Sequence, residues 1–114
     1  LKPYGSRSHI IRATSEEASP TFPDSSLDFV YIDANHSYEG CRGDIEYWWP
    51  KVKTGGILAG HDYVDGVFPE GDFGVKRAVD EFAAKEGQRV FVVPVLWPIW
   101  RIAGRRRLAR SAAA

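Results

Sequence analysis

Residues 27–63 read LDFVYIDANHSYEGCRGDIEYWWPKVKTGGILAGHDY, and this stretch decides the fold. It parses as strand, turn, helix, turn, strand. Residues 29–32 are a continuous apolar run, the pattern of a parallel strand buried on both faces. That run stops at Asp33, and a second, residues 57–59, stops just before His61-Asp62. In an open α/β sheet, ligands bind outside the carboxyl ends of the strands. Asp33, His36, His61 and Asp62 are therefore expected on one rim.

The segment between the strands carries helix signals. Ser37 is a good N-cap with Glu39 in the first turn, and Cys41, Ile45, Trp48, Trp49 and Val52 follow helical spacing. Gly43 weakens this helix, Pro50 should end it, and Gly55-Gly56 punctuates before the next strand. Downstream, residues 64–71 read as a loop. Asp72 is placed to cap a helix in which Val75, Ala78, Val79, Phe82 and Ala83 share a face, with Gly87 as its stop. Residues 90–93 and 99–103 read as strands, and so short a connection allows only antiparallel pairing. Upstream, residues 1–8 read as loop and 9–13 as a short strand. Ser15 is a cap for a brief helix, and residues 23–26 are turn chemistry.

The 114 residues suffice for one small domain, and 44% of them are hydrophobic, which argues against disorder of the whole. Five arginines fall at positions 101, 105, 106, 107 and 110, so residues 104–114 read as a basic, disordered tail. The first hundred residues hold 10 basic against 15 acidic side chains, and a nucleic-acid partner is not expected for such a body. Cys41 is the single cysteine, which excludes an internal disulfide and fits a reducing, cytoplasmic setting. No apolar run reaches the length of a membrane span, and no signal segment opens the chain. Because the first residue is Leu1, a processed or partial product is expected.

Asp33, His61 and Asp62 have the ligand chemistry of a divalent-metal site, with oxygens for Mg²⁺ or Mn²⁺ and an imidazole that widens the choice. The same residues could equally anchor turns and caps. His36 could be a general base or a loop-bonded histidine. Tyr38 and Tyr63 could line the pocket or pack, and Trp48 and Trp49 read as core. The arginine tail could meet phosphates or lipid headgroups, or be merely solvated.

The stretch also resembles the class I S-adenosylmethionine-dependent methyltransferases. The resemblance rests on Asp33-Ala34-Asn35-His36-Ser37-Tyr38, on Lys53-Thr54-Gly55-Gly56, on His61-Asp62-Tyr63 and on Phe73-Gly74-Val75-Lys76. It covers about residues 9–103. It implies an α/β, Rossmann-like fold whose full sheet has the strand order 3-2-1-4-5-7-6 with the last strand antiparallel. Residues 9–13 would be like strand 3, residues 27–33 like strand 4, and residues 57–61 like strand 5. Residues 90–93 would be like strand 6 and 99–103 like strand 7. The family's first two βα units, with the glycine-rich cofactor loop and the ribose-binding acid, have no match, since no G-x-G occurs anywhere.

By this resemblance the chain is the carboxyl-terminal half of a methyltransferase that acts on a hydroxyl of a small molecule or sugar. Metal-dependent O-methyltransferases place an acid at the Asp33-like position and two polar ligands at positions like His61 and Asp62. The sugar enzymes have an acid where this chain has His61, and a base at the position of His36. What remains of the S-adenosylmethionine site would be Asp33, Ala34 and His36. The isolated chain is expected to be inactive, and a free apolar sheet edge suggests a homodimer. The alternative is a non-catalytic α/β fragment or binding module that keeps the sheet without the cofactor site.

Overall fold

The structure is a computed structural model that describes residues 2–102. In chain order its elements are α1 (Ser15–Ala18), β1 (Leu27–Ile32), α2 (Tyr38–Trp48), β2 (Val52–Gly60), β3 (Asp65–Phe68), β4 (Gly71–Gly74), α3 (Val75–Glu86), β5 (Val90–Val93) and β6 (Ile99–Ile102). The main sheet has the order β1-β2-β6-β5. β1 and β2 are parallel, while β6 runs antiparallel to both of its neighbours. This is the 4-5-7-6 half of the expected sheet, so the chain has a partial Rossmann-like α/β fold.

α2 and α3 pack together on one face of that sheet. Cys41 and Ile45 of α2 and Val75, Ala78, Val79, Phe82 and Ala83 of α3 meet Ile32, Val52, Leu58, Trp100 and Ile102. α2 starts where expected, with the Ser37 hydroxyl accepting from the Gly40 N–H at 3.0 Å. Pro50 converts its end to a 3-10 turn, Trp49–Lys51. α3 ends on Gly87, which adopts the left-handed conformation, φ 65°.

Several expectations need correction. Residues Lys2–Arg7 form a 3-10 segment kinked at Gly5, φ 54°, rather than a loop. β2 begins at Val52, so Val52 and Gly55-Gly56, expected on the helix and as a break before the strand, lie inside it. Residues 9–13 form no strand, and Ile10 and Ile11 are 75% and 55% exposed. In the full strand order that strand lies beyond two others, and no described residue supplies the intervening ones, so its backbone has nothing to pair with. The 64–71 loop is instead the start of a hairpin of β3 and β4; Gly66, Gly71, Gly74 and Pro69 masked the alternation that marks strands. Asp72 is consequently part of β4, and the N-cap of α3 is Gly74. At α1 the cap is Thr14, in a reciprocal capping box with Glu17. The Ser15 hydroxyl instead accepts from the Trp48 indole at 2.9 Å and ties α1 to α2. Finally, β1 is covered on one face only. Val30 and Ile32 meet the helices, whereas Phe29 and Tyr31 are 57% and 44% exposed. With both long helices on the same side, Phe29, Tyr31, Ile57, Phe91 and Ile99 line an open groove of about 460 Å³ on the other.

No helix among the described residues is long and apolar enough to cross a membrane. The basic stretch 104–114 lies outside the described residues.

Candidate functional site

β1 and β2 leave the sheet side by side, with Ile32 paired to Gly60. Asp33 follows the first, and His61 and Asp62 follow the second. The His61 N–H donates to the Ile32 carbonyl at 3.2 Å, so strand pairing persists one residue past Gly60. Asp62 then turns at φ 60°. Successive side chains on a strand point to opposite faces, and this left-handed residue breaks the alternation so that His61 and Asp62 can face one another. The turn falls at Asp62, not at Gly60, which is still paired with Ile32.

Ligand atoms of Asp33, His61 and Asp62 all lie within 4.8 Å of one another. His61 Nδ1 is 3.1 Å from Asp62 Oδ1 and 3.9 Å from Asp33 Oδ1. Two carboxylate oxygens and an imidazole nitrogen fit a divalent cation, and the nitrogen favours Mn²⁺ or Zn²⁺ over Mg²⁺. The cleft beneath them holds only about 10 Å³, enough for roughly one water or ion. Anything larger must sit above the rim.

His36 and Ala34 line the same cleft, on the turn that leads into α2. The His36 ring stacks on Phe73, with centroids 3.8 Å apart and planes within 4°. Its Nδ1 lies 3.4 Å from the Asp72 carbonyl oxygen. Asn35 Oδ1 accepts from the Ser37 N–H at 3.0 Å, which shapes the turn between His36 and the helix.

The four expected rim residues are thus brought together, and the two tyrosines are not. Tyr38 and Tyr63 donate their hydroxyls to Glu81 and Asp80 of α3. Tyr38 is raised above the usual phenol range chiefly by its bond to Glu81, and Tyr63 chiefly by burial, then by Asp80. Both clamp the fold. Cys41, at the floor of the cleft, has its thiol pushed up to about 12 by burial, which removes it as a nucleophile. Sequence reasoning missed Tyr31, whose phenol is raised first by burial and then by the nearby charges of Asp33 and Asp62. It also missed the aromatic cluster behind His36, in which Phe73 and Phe68 lie 5.2 Å apart and Trp97 is 5.4 Å from each. The only signal was aromatic residues beside glycine and proline, which reads as a loop.

A family model described as a methyltransferase domain matches residues 1–63, more than half of the chain. The chain belongs to that family. It is a partial class I S-adenosylmethionine-dependent methyltransferase domain. A crystal structure of a Corynebacterium glutamicum protein, a structural-genomics target, is similar to it with a TM-score of 0.71 and 18% identity, over 92% of this chain and 51% of its own. The cofactor-bound Rv0187 protein from MTB matches with a TM-score of 0.56 and 16% identity, over 82% of this chain and 47% of its own. At those identities the likeness speaks for the fold. In sequence, the uncharacterized protein y4gI of Sinorhizobium fredii is 34% identical over 55 residues. This methyltransferase domain spans about half of each solved relative and 6% of y4gI.

Proposed function

We propose that this chain is the carboxyl-side part of an S-adenosylmethionine-dependent O-methyltransferase acting on a hydroxyl of a small molecule, with sugars among the candidates. The observation that carries the reading is the convergence of Asp33, His61 and Asp62 within 4.8 Å, with His36 on the wall of the same cleft. Asp33 and Asp62 would supply carboxylate oxygens and His61 a ring nitrogen, so the three would hold a divalent ion. Such an ion lowers the pKa of a hydroxyl placed on it. His36 takes the hydroxyl proton on a ring nitrogen. S-adenosylmethionine, when bound, would supply the activated methyl group to the hydroxyl oxygen. Asp33, Ala34 and His36 line the part of the rim left for the cofactor.

No segment of this sequence matches the glycine-rich loop that offers backbone N–H groups to such a cofactor. The isolated chain is therefore expected to be inactive and to bind S-adenosylmethionine more weakly than micromolar, about −8 kcal/mol. Calorimetry checks this, and micromolar binding would mean that the cofactor is held elsewhere.

The test of function uses a longer polypeptide that contains this segment and transfers methyl groups. His36→Gln is expected to lower kcat by about 10²- to 10⁴-fold, the usual worth of a general base. Asp62→Asn is expected to raise the Mn²⁺ concentration needed for half activity. A polypeptide indifferent to both substitutions and to chelators would leave these residues with the role of loop anchors, and this segment with that of a non-catalytic module.

A further inference from the structure

Three holds on His36 come from one element, the β3–β4 hairpin. Phe73 stacks on its ring, and the Asp72 carbonyl oxygen lies 3.4 Å from its Nδ1. The Gly74 N–H donates to the His36 carbonyl at 2.9 Å. The hairpin is itself fixed. A side chain at Gly74 would collide with the Tyr38 backbone at 2.8 Å, so the glycine seats β4 against the turn. Asp65 Oδ1 accepts from the Arg77 N–H at 3.0 Å, which ties β3 to the first turn of α3. Phe68 and Trp97 also pack against Phe73, with centroids 5.2 and 5.4 Å away.

From this geometry we infer that Phe73 and the Asp72 carbonyl are positioning groups for His36: they hold its ring plane and place its proton on Nδ1, leaving Nε2 as the proton acceptor. The inference deepens the reading of His36 as the base and rests on it. A neutral imidazole has one N–H and one lone pair, and the partner of one nitrogen decides the state of the other. A carbonyl oxygen only accepts, so the nitrogen facing it must donate. At 3.4 Å the bond is long and its bias is small. The near-parallel stack with Phe73 holds the ring plane, so Nδ1 stays in line with the carbonyl unless the ring makes a full half-turn, which keeps the stack but loses the bond. A base biased toward one tautomer and held in one plane needs less reorganisation when a hydroxyl arrives.

The test is the tautomer of His36 in the ¹⁵N-labelled chain, read from the ring-nitrogen shifts at about pH 8.5, above the ordinary imidazole range. The Nδ1–H form should exceed the Nε2–H form by about threefold, the scale of a weak hydrogen bond. Phe73→Leu should lower the ratio, and Phe73→Tyr, which keeps the flat ring, should restore it. A predominance of Nε2–H in the unsubstituted chain would overturn the inference. So would an unchanged ratio in Phe73→Leu when the Gly74 and Tyr38 amide shifts show the hairpin still docked. The outcome is separable from the base assignment. A full rate in the His36→Gln form of the longer polypeptide removes the base and leaves the tautomer measurement standing.

Discussion

Gly60 is a tight point beneath the rim. A Cβ there would lie 2.5 Å from the Trp100 ring and 2.6 Å from the Ile32 carbonyl oxygen, neither of which can retreat without opening the sheet. Gly60→Ala is expected to destabilise the chain by about 1–3 kcal/mol, the range for an overfilled core, and a shifted urea midpoint would show it. Cys41 gives a pH signature. Its thiol titrates from 9.0 in the reference state and about 12 when buried, so above pH 9 the unfolded chain loses its proton first. The folded state then holds more protons, and stability falls as pH rises through that window, by up to about 1.4 kcal/mol per pH unit from this group. Comparing the unfolding free energies of the chain and Cys41→Ala between pH 8 and pH 11 (on the order of the reference thiol range) isolates it. At this scale Asp33, His36, His61 and Asp62 were legible because strand ends mark themselves by where an apolar run stops. The fate of Tyr38 and Tyr63 was not, because Glu81 and Asp80 lie 43 and 17 residues further on and only the packing of α3 brings them close.

α2 is the element that sets the angle of the His36 turn, and its cap is a single hydroxyl. Ser37→Ala removes the acceptor for the Gly40 N–H and should cost about 1 kcal/mol. Thermal unfolding would register the loss, and the Gly substitution should cost less, since glycine is tolerated at this position. α2, α3, β5 and β6 could be read from periodicity and stop signals because each has a local rule. The β3–β4 hairpin could not. Its strands are four residues each, Gly66 and Gly71 take positive φ, and Pro69 stands in the turn, so the chain looks like punctuation. Residues 9–13 failed in the opposite sense. Their β-branched, apolar character suits a strand, but a strand is a property of a pair, and the sequence alone does not supply the partner.

The whole molecule is a sheet with helices on one side and apolar side chains on the other. Phe29 and Tyr31 stack at 6.4 Å on the uncovered face of β1, whose outer edge is unpaired among the described residues. An unblunted apolar edge invites a second strand. Antiparallel pairing of two copies about Val30 would set Phe29 across from Tyr31 on the open face. It would also keep Asp28 opposite Ile32, away from its own copy. The chain is therefore expected to self-associate, and Tyr31→Lys to shift sedimentation toward monomer. A monomer at high concentration, with residues 27–32 protected from hydrogen exchange, would contradict that.

The functional claim rests on one triangle of side chains, and Mn²⁺ reaches it directly. Paramagnetic broadening in the NMR spectrum of the 114-residue chain should centre on Asp33, His61 and Asp62, with an affinity near millimolar, about −4 kcal/mol, for a site open to water. It should weaken in both Asp33→Asn and Asp62→Asn. Broadening centred on other carboxylates, or unchanged in both variants, would contradict a metal-assisted rim.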